Sequence, residues 1–225
     1  MDRNKKAKNT SKKLKKLSLN MSTSSIHYIN IHWLFNSYNS IMIQDNIKAI
    51  MNEINTVLPN IKQTECDNII EKILSAKRIV GIGAGKVGMT VRAFTMRLGH
   101  LWLQAWFLWD STLPWIGAWD LLLVASWSGE TQTIYDLVEI AKKNGCDIAL
   151  ITWNPESRMG KLANTIVKIQ APSKTKAIEW FTSIQPMTTL NEQCLRLFFD
   201  ALTLEVMEKM KETHDTMRAR HSNLE

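Results

Sequence analysis

Six consecutive residues, Ser126-Trp127-Ser128-Gly129-Glu130-Thr131, follow directly on the apolar run Leu121–Ala125. Two serines and a threonine placed there can aim hydroxyls and backbone N–H groups at one phosphate over a helix N-terminus. The same residues also read as an ordinary serine N-cap. Three hydroxyls at one strand end, opposite a glycine-rich turn, favour the phosphate. That turn is Gly81-Ile82-Gly83-Ala84-Gly85-Lys86-Val87-Gly88. Glycines there permit positive φ and close backbone approach to a ligand, and the helix that follows offers N–H groups to an anion. The glycine–lysine spacing is not that of a Walker loop, and an acidic ribose ligand about 20 residues on is hard to place, so a nucleotide is the weaker reading. Further along, Thr189-Leu-Asn-Glu192 has the spacing of a capping box. His100 closes an earlier helix, where the dipole favours an imidazolium.

The elements that must carry these residues are legible from periodicity. Ile47, Ile50, Met51, Ile54, Val57 and Leu58 recur at helical spacing from residue 44, and Pro59 follows the last of them. A second helix is expected over 63–76. Strand-like runs lie at 78–83, 103–108, 120–126, 147–152 and 165–170, with helices near 86–99, 131–143, 157–163 and 189–212. The strands are near-continuous apolar runs, as burial on both faces requires. Alternating strand and helix implies a parallel sheet with right-handed crossovers, and so a three-layer α/β/α fold with five strands. Ligands in such sheets bind beyond the carboxyl ends of the strands, where both motifs fall.

Composition narrows the function classes. The net charge of +7 sits in the tail: residues 1–16 hold Arg3 and seven lysines against Asp2. From residue 42 onward, 20 basic residues meet 20 acidic ones, so the body is neutral and offers no basic face for a nucleic acid. Residues 1–41 are read as a disordered basic extension, with Met42 as an alternative initiator. No apolar run approaches the ~20 residues of a membrane span. Cys66, Cys146 and Cys194 are scattered and form no CxxC pair, which argues against zinc or a disulfide framework and fits a reducing cytoplasm. Nine Trp accompany only nine Gly, where the usual share of ~7% would give about 16.

Taken together, Gly83-Ala-Gly-Lys-Val-Gly88 and Ser126-x-Ser-Gly-Glu-Thr131 resemble the sugar isomerase (SIS) domain. Met96-Arg-Leu-Gly-His100, Thr152-Trp-Asn-Pro-Glu-Ser157, Ile184-Gln-Pro-Met187 with Glu192, and Arg218-Ala-Arg-His-Ser-Asn-Leu-Glu225 narrow the resemblance to the 6-phospho-3-hexuloisomerase family over residues 42–225. The resemblance implies a flavodoxin-like topology, with N-terminal helices and a long C-terminal helix. It implies conversion of D-arabino-hex-3-ulose 6-phosphate to fructose 6-phosphate, the second step of formaldehyde fixation by the ribulose monophosphate pathway, fed by a hexulose-phosphate synthase. It also implies no metal or organic cofactor, and a cytoplasmic homotetramer whose subunits complete one another's sites. Moving a carbonyl from C3 to C2 needs a proton taken from one carbon and returned to its neighbour through an enediol(ate), which one carboxylate can do. By resemblance that carboxylate is Glu192. His100 would polarise sugar oxygens, and Gly85, Lys86, Val87 and residues 126–131 would hold the phosphate. Arg220 and His221 would reach a neighbouring subunit's site. Other readings are a different SIS sugar-phosphate isomerase, or a non-catalytic sugar-phosphate-binding SIS protein.

The chain departs from the family pattern in two ways. Lys86-Val87 stands where the family commonly has Arg-Ser, which loses the forked guanidinium and one hydroxyl. Trp102, Trp109, Trp119 and Trp127 stand where it typically has glycine. An indole at 127 pointing inward would fill the phosphate site. Reading these four as UGA codons that the source translates as glycine would raise Gly from nine to thirteen.

Overall fold

The computed structural model of this chain describes residues 28–172 and 181–224, with residues 28–42 given by their backbone alone. The chain divides within its first helix into residues 1–48 and residues 49–225, and the second unit carries the sheet. Helix α1 covers Tyr28–Val57, so regular structure begins well before residue 44, inside the stretch read as an extension. The reason is local: residues 28–41 contain neither Gly nor Pro, and nothing there breaks a helix. Residues 1–27 lie outside the described residues.

A 3-10 turn, Leu58–Asn60, follows α1 at Pro59. Then come α2 (Gln63–Ser75), β1 (Ile79–Gly83), α3 (Gly85–His100), β2 (Ala105–Phe107), β3 (Leu121–Ala125) and α4 (Gln132–Lys143). The chain continues through β4 (Asp147–Thr152), α5 (Arg158–Leu162), β5 (Thr165–Lys168), α6 (Thr189–Met210) and α7 (His214–Arg218). The five strands form one parallel sheet in the order β2-β1-β3-β4-β5, the flavodoxin-like order expected. Every residue of β1 and of β3 is buried.

Period-two alternation along these strands builds two cores. Ile79, Leu121, Leu123, Ala149, Ile151 and Val167 face one side, where α2, α3 and α6 lie. Val80, Ile82, Leu122, Val124, Ile148 and Leu150 face the other, against α4 and α5. Gly81 and the Gly83/Gly88 pair let α3 sit close on β1. A Cβ on Gly81 would lie 2.5 Å from Thr95 Cγ2, and one on Gly88 would lie 2.4 Å from the Gly83 carbonyl oxygen. Phe94 of α3 and Phe199 of α6 stack with ring centroids 4.2 Å apart. This pins α6 alongside α3.

Asp120 anchors the approach to β3: it is 1% exposed and takes the Arg78 guanidinium at 2.8 Å and the Gly117 N–H at 2.8 Å. Among the described residues no helix is long and apolar enough to cross a membrane.

Candidate active site at the switch point of the sheet

The chain leaves β1 toward β2 on one side and returns to β3 on the other, so strand order reverses between β1 and β3. A crevice opens beyond the carboxyl ends of strands at such a point. Gly83 and Ala125, the last residues of these two strands, are direct neighbours across the sheet. The glycine turn and the serine loop therefore start side by side.

After Gly83 the backbone turns through Ala84 and Gly85 (φ +57) into α3. The first turn of α3 leaves the N–H groups of Gly85, Lys86 and Val87 without a carbonyl one helical turn back, and the helix dipole adds partial positive charge there. Lys86 projects outward, while Val87 turns its side chain into the core. Only the backbone of Val87 is available to a ligand.

The serine loop is held by its own hydroxyls. Ser126 Oγ accepts the Gly129 N–H at 3.2 Å and Ser128 Oγ accepts the Glu130 N–H at 3.1 Å. A hydroxyl that accepts one bond keeps its proton to donate, so both serines can still serve an anion. Thr131 is the exposed N-cap of α4, and its side chain makes no cap bond. Gly129 has φ +65, and a Cβ there would lie 2.0 Å from Ser157 Oγ.

Sequence reasoning did not assign the support for this loop, although it quoted the Thr152–Ser157 motif. Thr152 Oγ1 donates to the Trp127 carbonyl at 3.0 Å, and Asn154 Nδ2 to that of Ser128 at 3.4 Å. Ser157 caps α5 by accepting the Gly160 N–H. Glu130 points away to α5, where its carboxylate meets Arg158 Nε at 2.6 Å and the Arg158 N–H at 2.9 Å. These hydrogen bonds hold the Glu130 carboxyl below the usual carboxylate range. Trp127 is buried with its indole in the core on the α3 side, and its Nε1–H has no hydrogen-bond partner.

Glu192 arrives at this crevice from α6. Its Oε2 lies 2.7 Å from Lys86 Nζ, and its Oε1 accepts the Thr188 hydroxyl proton at 3.1 Å. The capping-box reading is corrected here. The N-cap is Thr188, which makes no side-chain cap bond, and Thr189 Oγ1 donates to the Pro186 carbonyl at 2.8 Å. The Glu192 side chain, 13% exposed, is spent on Lys86 and Thr188 rather than on the helix end.

Glu53 of α1 is a second acid that the sequence reading missed. It is 7% exposed, and its carboxylate accepts from Ser183 Oγ (2.8 Å), the Ile184 N–H (2.6 Å) and Gln185 Nε2 (2.9 Å). It thereby clamps the segment that leads into Glu192. Three donors on the 183–185 segment, 130 residues away in sequence, leave no periodic signal.

His100 does not join this cluster within one chain. It ends α3, fourteen residues after Lys86, or about 21 Å along the axis at 1.5 Å per residue. Its ring lies 5.1 Å from that of His221, Arg97 Nη1 is 3.3 Å from its Nδ1, and Arg220 Nη1 donates to its carbonyl at 2.8 Å. Arg220 is also paired with Glu212 at 2.7 and 2.8 Å. With Arg97, His214, Met217 and Arg218, the two histidines line a cleft of about 510 Å³. The expected site residues thus fall into two groups at opposite ends of α3.

Among the described residues no three His, Cys, Asp or Glu side chains group so as to hold a metal ion. Cys146 and Cys194 are buried and Cys66 is half-buried, and burial pushes the Cys194 thiol up to about 12.

The family model described as the SIS domain matches residues 72–196, which span the sheet from the end of α2 to the first turns of α6. The chain is 35% identical over 179 residues to the 3-hexulose-6-phosphate isomerase of Bacillus subtilis (strain 168), covering 80% of this chain and 97% of that one. It is 33% identical over 183 residues to the 3-hexulose-6-phosphate isomerase of Mycobacterium gastri, covering 81% and 92%. A solved structure from Methanococcus jannaschii, described as inferring a molecular function of 3-hexulose-6-phosphate isomerase, superposes with a TM-score of 0.69 at 25% identity. That match covers 80% of this chain and 99% of the other. With a parallel sheet of this order, a serine loop at its switch point and relatives this similar over most of its length, the chain belongs to the SIS-domain family, beside the 3-hexulose-6-phosphate isomerases, and is a sugar-phosphate isomerase.

Proposed function

We propose that this isomerase interconverts D-arabino-hex-3-ulose 6-phosphate and fructose 6-phosphate, without metal or organic cofactor. The observation that carries the reading is the Lys86–Glu192 pair at 2.7 Å, beside the ends of β1 and β3. It puts a carboxylate within one side chain's length of the turn suited to an anion.

In this reading the phosphate lies over the N-terminus of α3, against the N–H groups of Gly85, Lys86 and Val87 and the hydroxyls of Ser126, Ser128 and Thr131. Glu192 takes the proton from C2 of the 3-ulose while O3 gains one, leaving an enediol(ate) across C2 and C3. The proton returns to C3 as O2 loses its own and becomes the carbonyl of fructose 6-phosphate. Atoms and charge balance, and one carboxylate serves both transfers. Lys86 carries three donor protons on an exposed ammonium, so it can orient Glu192 and hold a phosphate or sugar oxygen together. Glu130, occupied by Arg158, shapes the loop rather than touching the sugar.

His100, Arg220 and His221 enter the reading across a subunit contact. Their distance along α3 from Lys86 keeps them from the Glu192 of their own chain, so a homotetramer with shared sites would bring them to a neighbour's. The substrate comes from a hexulose-phosphate synthase, and the setting is the cytoplasm and the ribulose monophosphate pathway. The test is formation of fructose 6-phosphate by the purified protein, coupled to such a synthase, with Glu192→Gln beside it. The glutamine keeps size and a hydrogen bond to Thr188 but cannot take a proton. Loss of turnover with a retained fold is expected, and undiminished turnover would overturn the assignment of the base.

A further inference from the structure

Two tryptophans stand in backbone that suits glycine. Trp102 has φ +64 and Trp119 has φ +73. For a bulky L-residue such values are outliers, because Cβ crowds the following carbonyl. Among the described residues only two other non-glycines have positive φ, Met187 and Lys211.

Each sits in a motif that asks for glycine. Trp102 N–H donates to the Gly99 carbonyl at 3.0 Å, and Leu103 N–H to that of Leu98 at 3.1 Å, with Leu101 as C-cap of α3. This is a Schellman closure with Trp102 at its left-handed position, which glycine usually fills. At the second site Asp120 N–H donates to the Gly117 carbonyl at 3.1 Å, closing a turn whose third residue is Trp119. Positive φ at the third residue alone defines a type II turn, and glycine is its usual occupant. The turn cannot relax: Lys77 N–H donates to the Trp119 carbonyl at 2.9 Å, and buried Asp120 holds the Gly117 N–H.

Neither indole gains burial in return, since Trp102 is 69% and Trp119 76% exposed. Arg220 lies 5.1 Å from the Trp102 ring, but its charge is already paired with Glu212. Trp127 shows the converse fault. It stands between the two serines in sequence and buries its indole in the core on the α3 side, with its Nε1–H unpartnered.

We propose that residues 102, 119 and 127 are glycine in the protein as its source makes it, their codons being UGA triplets which that source translates as glycine. These three positions would raise Gly from nine to twelve, which narrows the deficit against the usual share of about 16. Trp109, although 70% exposed, has no left-handed backbone and is not carried by this argument. Residue 127 then decides how the serine loop is held: an indole anchors the loop in the core on the α3 side, whereas glycine leaves the backbone between Ser126 and Ser128 free to close on an anion. That last clause rests on the phosphate reading above; positions 102 and 119 do not.

Peptide mass spectrometry of the protein purified from its natural source tests the assignment directly. Glycine masses at 102 and 119 are expected, and tryptophan at either position overturns the proposal. In recombinant protein, Trp102→Gly and Trp119→Gly should each raise Tm by about 2–4 °C through relief of left-handed strain; an unchanged or lowered Tm counts against it. Trp127→Gly is then titrated with inorganic phosphate and with fructose 6-phosphate. Ligand-induced Tm shifts in this variant, and none in the Trp127 protein, are expected. Equal shifts in both overturn the role given to residue 127. Glycine masses at 102 and 119 with no shift in either protein would uphold the codon assignment while removing the phosphate reading.

Discussion

The two ends of α3 differ in how they are built. At its N-terminus, the glycine turn, the serine loop and Glu192 meet because the sheet order places Gly83 beside Ala125 and the Phe94–Phe199 stack holds α6 alongside α3. That end is assembled by the topology of one chain. At the C-terminus, His100 meets Arg220 and His221, contributed by the segment after α7. There Arg220 is paired with Glu212, and the Lys86 end of the helix lies about 21 Å away along its axis. One helix thus carries the expected site residues in two separate groups, and under the shared-site proposal a second copy would unite them.

Several experiments would break or sharpen this contrast. The largest effect is expected for Glu192→Gln, a loss of about 10²–10⁴-fold in kcat, the usual contribution of a positioned acid–base group. Mixing that protein with a His100→Ala, His221→Ala double variant should regain turnover if sites are shared. If the mixture stays inactive while each variant still assembles, the two ends work separately. Lys86→Met should come next, weakening phosphate-ester binding by about one to two decades, since a charged hydrogen bond is worth about 1.5–3 kcal/mol. Steady-state KM would report it, and a KM equal to that of the unmodified protein would release Lys86 from the site.

Glu53→Ala should act at a distance. Leaving three donors of the 183–185 segment unpaired costs about 1–3 kcal/mol, or roughly 2–4 °C of Tm per kcal/mol at this chain length. It should also lower kcat more than it changes KM, because it loosens the approach to Glu192. The smallest effect concerns pH. Hydrogen bonds from Arg158 hold the Glu130 carboxyl below the usual range, and those from Thr216 and then Arg220 do the same for Glu212. A carboxylate with a lowered folded-state pKa stabilises the fold above its ordinary range, and that stability is lost as pH falls through the folded value. Tm should therefore fall modestly on acidification, with Glu130→Gln and the unmodified chain converging at the acid end; Glu130 is exposed, so salt should blunt the difference.

Much of the fold was legible without coordinates. β4 was placed at its observed bounds because Ile148–Ile151 is a continuous apolar run that begins shortly after Gly145. The first turns of α1 were missed because residues 28–41 show no apolar period, and the absence of breakers is a weaker signal than a pattern. The serine loop and glycine turn were visible as sites because their residue types are unusual at strand ends. Thr152, Asn154 and Arg158, which brace the loop, were not, since ordinary polar residues acquire a role only from what lies opposite them.

By itself, the sequence determined the parallel α/β/α architecture and the two anion-suited strand ends, because burial on both faces and backbone freedom are written in residue type and period. Tertiary structure alone decided that Glu192 serves Lys86 rather than its own helix, that Glu53 clamps a segment 130 residues away, and that His100 stands apart. It also showed that two tryptophans occupy left-handed backbone. These facts depend on pairings between distant segments and on the dihedral angles that closure imposes, and neither quantity is carried by any local run of residues.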